Sequence, residues 1–158
     1  MMSSATVKHV VHLRQASDAD LESVSRLLME SNLPTAGVAD CIADFVVAEK
    51  GDEVIGAIGL ETHGQFGLLR SAVVAPGWQG RGVGRSLVKR LVADAALHGL
   101  DALYLLTTTA EGYFPAFGFE RTDWQSVPAE LMASPEFKGA CPDSAVVMRL
   151  ELQRPNGA

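Results

Sequence analysis

The sequence predicts a mixed α/β fold: a mainly antiparallel sheet with helices on both faces and one parallel strand pair. Two observations predict it. In the middle of the chain, β-branched runs follow one another through tight turns, as an antiparallel meander requires. The pattern then changes, and an amphipathic helix separates two strands, a crossover that sets those strands parallel. Apolar residues are 47% of the 158, enough for a core of this kind. The length fits one domain over residues 7–152, with flexible tails at 1–6 and 153–158.

The elements follow in order. Val7–Arg14 reads as a strand. Ser17 then precedes Asp18, Asp20 and Glu22, an N-cap with acidic residues in the first helical turn. Leu21, Val24, Leu27 and Leu28 give that helix its apolar stripe, and Pro34 prevents simple continuation. A short helix follows before Cys41. Phe45–Glu49 and Glu53–Glu61 are strands joined by a hairpin-length connection, and a turn at 63–65 leads into a longer strand, Phe66–Ala75. The helix Gly82–His98 carries Val83, Leu87, Val88, Leu91, Val92 and Ala95 on one face, and Gly99 suits its C-terminal stop. Ala102–Thr108 is the strand parallel to Phe66–Ala75. A short helical segment at Ala110–Phe117, a strand at Phe119–Asp123, a helical turn at Pro128–Ser134 and a closing strand at Ser144–Leu152 complete the chain.

Composition narrows the function. No apolar stretch is long enough to span a bilayer, and residues 1–6 lack the basic-then-apolar pattern of a secretory signal. Cys41 and Cys141 lie far apart, implying neither a disulfide framework nor a zinc site and fitting a reducing cytoplasm. His9, His12, His63 and His98 show no metal-ligand spacing, so no metal is expected. A net charge of −6 argues against a nucleic-acid surface. Against that acidic background Arg81, Arg85, Lys89 and Arg90 form a basic cluster.

That cluster belongs to the run Ser71-Ala-Val-Val-Ala-Pro-Gly-Trp-Gln-Gly-Arg-Gly-Val-Gly-Arg-Ser86. A strand ends at Pro76, a glycine-dense loop follows, and the helix begins almost at once. Glycines permit positive φ and let backbone N–H groups turn towards one point. The helix start adds unpaired N–H donors and the positive end of its dipole, a combination suited to phosphate. Arg81 and Arg85 sit where that dipole disfavours cations, and a bound pyrophosphate would reverse the penalty. The alternative is that they are solvated surface arginines, the better reading for Arg90.

Two nucleotide-binding readings fit poorly. A P-loop needs a Lys-Ser/Thr pair after its glycines, and here Gly82 is followed by Val83. A dinucleotide fold wants its fingerprint after the first strand of a repeated parallel array, whereas antiparallel strands precede this loop. Gln79-Gly-Arg-Gly-Val-Gly84 instead matches Q/R-x-x-G-x-G/A and resembles the GNAT superfamily of acetyl-CoA-dependent N-acetyltransferases. Val74-Ala-Pro76, resembling the end of the superfamily's fourth strand, and Tyr113-Phe-Pro-Ala-Phe-Gly-Phe119, resembling its Gly-Phe element, agree with that. The resemblance covers roughly residues 9–152 in the expected element order.

The resemblance implies acetyl-CoA as acetyl donor, with Val73 and Val74 pairing with the pantetheine arm. Gln79, Gly80, Arg81, Gly82, Val83, Gly84, Arg85 and Ser86 would hold the phosphates. The parallel strands would splay at this site, and a backbone N–H near Val73 or Val74 could polarise the thioester carbonyl. Direct transfer to a small-molecule amine needs a proton acceptor, and Glu61 at a strand end is the candidate base; the alternative is a solvated glutamate. His63, in the turn, is a weaker candidate. Phe114 occupies the position where many members carry an acidic tyrosine, which leaves Tyr113 to approach the sulfur, unless the thiolate departs without an acid. Arg70, in an otherwise apolar strand, could clamp a substrate carboxylate or could form an internal ion pair with Glu61. Ser71, Thr107 and Thr108 are further acceptor-site candidates, although threonines there also suit strands and caps.

A finer resemblance bears on the acceptor. Leu68-Leu-Arg-Ser71, Leu106-Thr-Thr-Thr109, Val127-Pro-Ala-Glu-Leu131 and Cys141-Pro-Asp-Ser-Ala-Val-Val-Met148 occur together. This set resembles the amino-acid N-acetyltransferases and, with Leu33-Pro-Thr-Ala-Gly37, more closely the arsenic-resistance N-acetyltransferases. It implies acetylation of a small amino acid or an amino-acid-like compound such as a phosphinic or arsenical glutamate analogue. Related folds often pair as homodimers. The competing expectation is a non-catalytic coenzyme A-binding regulatory domain.

Overall fold

The computed structural model describes residues 10–140 and 144–152. Its seven strands are β1 (His12–Gln15), β2 (Phe45–Lys50), β3 (Glu53–His63), β4 (Phe66–Val74), β5 (Ala102–Thr107), β6 (Glu120–Thr122) and β7 (Val146–Glu151). They form one mixed sheet in the order β1-β2-β3-β4-β5-β7-β6. The α-helices are α1 (Leu21–Glu30), α2 (Val38–Cys41) and α3 (Val83–Leu97), with 3₁₀ turns between other elements. Among the described residues no helix is long and apolar enough to cross a membrane.

The chain divides into two compact units. The first is the described part of Met1–Gly59 with Ser71–Leu87; the second is Leu60–Arg70 with the described part of Val88–Ala158. The divisions fall inside β3, β4 and α3. Within β4 the break coincides with Ser71, whose φ of 60° is left-handed, a conformation costing a non-glycine residue about 1–2 kcal/mol.

In the first unit β1, β2 and β3 run antiparallel, with Phe45 opposite Gly59 and Val47 opposite Ala57. Any side chain at Gly59 would overlap the Phe45 ring, so the glycine lets the ring lie flat on the neighbouring strand. Helix α1 delivers the expected stripe: Val24, Leu27 and Leu28 are buried with Phe45, Val47, Ala57 and Val73. Neighbouring residues of a strand face opposite ways. Gly56 accordingly faces Val83 and Leu87 of α3, so this part of the sheet has helix on both faces. Asn32 (φ 57°) and the bond from Leu33 N to Leu28 O, 2.9 Å, close α1 before Pro34 is reached.

In the second unit β4 and β5 are parallel, pairing Phe66–Leu68 with Ala102–Tyr104. That pairing stops at Leu68 and Tyr104, while β4 runs on to Val74 and β5 to Thr107. β7 lies antiparallel between β5 and β6. Leu68, Ala102, Tyr104 and Val147 form a core closed by Leu131 and Phe137. Gly99 (φ 77°) ends α3, with Leu100 N bonded to Ala95 O.

Several boundaries differ from expectation. The expected helix at Ala110–Phe117 is a turn at 111–113 followed by a 3₁₀ turn, Phe114–Phe117, because Gly112 and Pro115 interrupt the helical ladder. A distorted helical turn, Glu136–Ala140, was not anticipated, and its Gly139 takes φ 110°. The first strand is His12–Gln15 and the last starts at Val146. The expected strand residues Val7–His9, both tails and Cys141 lie outside the described residues.

Candidate active site

The glycine loop lies in the first unit. β4 ends at Val74, and Ala75 N bonds to Ile55 O at 2.8 Å, tying the loop entrance to β3. Pro76–Trp78 is a 3₁₀ turn, and the Gln79 side-chain amide donates back to the Val74 carbonyl at 3.1 Å. Gly80 and Gly82 follow with φ of 78° and 85°, a region open to glycine and strained for β-branched residues. Space beyond Gly77, Gly80 and Gly82 is open: a Cβ at any of them would meet nothing within 4 Å.

Helix α3 then starts, and its ladder is under way when Ser86 N reaches Gly82 O at 3.1 Å. The amides of Val83, Gly84 and Arg85 precede that bond, in the first turn where no intrahelical acceptor exists. Val83 is buried, whereas Arg81, Arg85 and Ser86 are exposed. Open glycines, first-turn amides and two solvent-facing guanidinium groups are the features an anion site requires. Trp78 is bracketed by cations, with Lys50 Nζ 5.2 Å and the Arg81 guanidinium carbon 5.0 Å from its ring centre. The sequence reading did not single out Lys50, which is remote in the chain and reaches the ring from the end of β2.

The second unit holds a buried polar cluster that brings together three of the candidates, Glu61, His63 and Arg70. Glu61 Oε2 accepts from Arg70 Nη1 at 2.7 Å, and Glu61 Oε1 lies 2.9 Å from His63 Nε2. Arg70 also faces Glu136, Nη2 to Oε2 at 3.5 Å. Ser134, fully buried, adds a hydrogen bond to Glu61, and its Oγ accepts from Glu136 N at 3.2 Å. The Arg70 side chain is wholly enclosed, that of Glu61 nearly so, and that of His63 is 24% exposed. Burial acts to raise the Glu61 pKa, but hydrogen bonds from His63, Arg70 and Ser134 and the Arg70 charge outweigh it and hold the carboxyl below its usual range.

The other candidates are placed as follows. Tyr113 is 44% exposed and meets Phe114 and Phe117 edge-on, whereas Phe114 is buried against Phe119. Thr107 Oγ1 accepts from Ala110 N at 2.8 Å, capping the turn after β5, and Thr108 is exposed. Ser71 stands at the left-handed kink of β4 and Val73 is buried in the first unit's core. Sequence reasoning missed Ser134 and Glu136. Cys41 bonds through Sγ to Gly37 O at 3.3 Å, and among the described residues no cluster of metal-ligating side chains occurs.

Known proteins are similar to this chain in sequence and in fold. An amino-acid acetyltransferase of Mycobacterium tuberculosis is 29% identical over 131 residues, covering 75% of this chain and 74% of the relative. N-acetylglutamate synthase from Neisseria gonorrhoeae, solved with coenzyme A and N-acetyl-glutamate, superposes with a TM-score of 0.79 at 21% identity. That match covers 92% of this chain but 36% of the Neisseria chain. A Mycobacterium tuberculosis structure in complex with CoA gives a TM-score of 0.76 at 23% identity, covering 89% of this chain and 99% of that one. These two show a common fold. The family model for the acetyltransferase (GNAT) domain matches residues 42–121, half of the chain, from the hairpin through the glycine loop and the parallel strands to β6. The chain therefore belongs to the GNAT family of acetyltransferases.

Proposed function

We propose that residues 7–152 work as one N-acetyltransferase domain that moves the acetyl group of acetyl-CoA to the amine of a small amino acid. The observation that carries this reading is the loop from Gly77 to Gly84, where two positive-φ glycines deliver the chain into the first turn of α3. In the proposal the amides of Val83, Gly84 and Arg85 hold the pyrophosphate, with Arg81 and Arg85 adding charge. Val73 and Val74 pair with the pantetheine arm. The amino-acid acetyltransferase relative supports the acceptor class. A phosphinic or arsenical glutamate analogue is a narrower form of the same proposal, supported by the motifs from Leu33 to Gly37 and from Leu68 to Ser71.

Transfer is direct in this reading. The neutral amine attacks the thioester carbonyl, the C–S bond breaks, and coenzyme A leaves as thiolate, which takes up a proton. Tyr113, exposed at the rim of its aromatic cluster, is the proposed donor of that proton, while Phe114 lacks a hydroxyl to give. Glu61 belongs to the machinery that removes the amine proton. Arg70 is engaged by Glu61 and Glu136, which supports the internal ion pair over a substrate clamp. The widely spaced cysteines support the cytoplasm as compartment.

A thiol-release screen across free amino acids, their amides and phosphinic or arsenical analogues tests the proposal. Turnover with free amino acids is the expected result. Coenzyme A binding without release of thiol from any amine would favour the non-catalytic binding domain instead.

A further inference from the structure

We propose that His63, oriented by Glu61, is the group that takes the proton from the attacking amine; this rests on the N-acetyltransferase reading above. Glu61 is poorly suited to take that proton itself. Its side chain is 8% exposed and both its oxygens are occupied, Oε2 by Arg70 at 2.7 Å and Oε1 by His63 at 2.9 Å. Ser134 adds a further hydrogen bond. A carboxylate so enclosed and so well stabilised as an anion is a weak proton acceptor.

His63 has what Glu61 lacks. An ionised carboxylate can only accept hydrogen bonds, so the imidazole nitrogen facing it, Nε2, carries the proton. Neutral His63 then presents Nδ1 as an acceptor, and about a quarter of the side chain meets solvent. Glu61 fixes the tautomer and steadies the imidazolium once it forms, acting as a positioning residue. Arg70 and Ser134 in turn fix Glu61. Charged groups near this end of β3 include Glu61 on the same strand, Arg70 from β4, Glu136 from the turn at 136–140, Glu130, whose carboxylate lies against Gly64, and Asp101, whose backbone N–H bonds to Gln65 O at 2.8 Å.

The step balances as follows. The amine lone pair forms the N–C bond to the acetyl carbon and the C–S bond breaks. The surplus proton on nitrogen passes to Nδ1 of His63. The thiolate leaves with the C–S electron pair and acquires a proton, and the imidazolium returns its own to water.

The test is steady-state turnover of the full chain and of His63→Gln with the best amino acid from the screen, across pH, with coenzyme A affinity measured alongside by calorimetry. The variant is expected to lose about 100-fold or more in kcat/KM. It should keep its coenzyme A affinity and lose the rise of rate with pH that deprotonation of an imidazole gives. Wild-type kcat/KM and an unchanged pH profile in the variant overturn the assignment alone. No turnover by the wild type overturns the reading beneath it, and the assignment with it. Should His63→Gln also lose coenzyme A affinity, His63→Ala with added imidazole decides: restored turnover supports the assignment and none overturns it.

Discussion

Arg70 and Glu61 meet as a buried ion pair, Nη1 to Oε2 at 2.7 Å, in which the arginine side chain has no solvent exposure. A second carboxylate, Glu136, lies 3.5 Å from Nη2. Removing the guanidinium leaves two enclosed carboxylates without their counter-charge, and breaking a buried pair in this way costs about 3–5 kcal/mol. Arg70→Ala should show that loss in urea unfolding. Any rise in acceptor KM should be equal for amino acids and their amides. A rise confined to the free acids would restore Arg70 as a carboxylate clamp.

Acid should weaken the same cluster. The folded protein holds the Glu61 carboxyl below its usual range, so the unfolded chain takes up this proton first. The stabilisation is complete above the ordinary glutamate value of about 4.3 and disappears as pH falls through the lower folded value. Asp20 adds the same sign of dependence, because its hydrogen bond from Arg14 lowers its pKa as well. Unfolding midpoints should hold steady from neutrality to about pH 5 and then decline. Glu61→Gln should start less stable and decline more gently; an identical slope would detach Glu61 from the effect.

Two loop glycines should respond in opposite ways. Gly82 has φ 85°, so Gly82→Val forces a β-branched residue into a strained region at the centre of the loop. Calorimetry should find no measurable acetyl-CoA binding. Gly77 lacks a positive φ and has open space around it, so Gly77→Ala should bind normally. Retained affinity in Gly82→Val would remove the loop as the phosphate site.

Gly59 makes a prediction about stability with no bearing on the ligand. A methyl there would overlap the Phe45 ring, which is fully buried in the first unit's core. Gly59→Ala should lower stability by about 1–3 kcal/mol, read as a drop in melting temperature, while the folded fraction binds acetyl-CoA as before.

The glycine loop, α3 and the parallel pair were legible because each is local. Glycine spacing, a 3.6-residue apolar period and a crossover all act over a few dozen contiguous residues. Glu136 and Ser134 were not legible, and the reason is physical. They sit in short 3₁₀ and distorted turns with no period to read, and they reach Glu61 and Arg70 only through tertiary packing. An arginine carries more N–H donors than one carboxylate satisfies, so a buried Arg70 needs further acceptors, and the sequence does not say which. The expected helical segment near Tyr113 formed only as the 3₁₀ turn Phe114–Phe117, since Gly112 and Pro115 do not sustain a longer ladder.

Lys50 and Arg81 beside the Trp78 indole give the glycine loop an optical gauge of its own. The chain has only one other tryptophan, Trp124, which bonds to the Ala145 carbonyl and packs edge-on to Phe137 in the second unit. A polyanion arriving at the loop competes with the ring for the arginine, and the emission of Trp78 should shift as the guanidinium turns away. Titration with coenzyme A would then be visible by fluorescence without any label, and Trp78→Phe should leave a silent background from Trp124. The chain would then carry its own readout for the ligand proposed at its glycine loop.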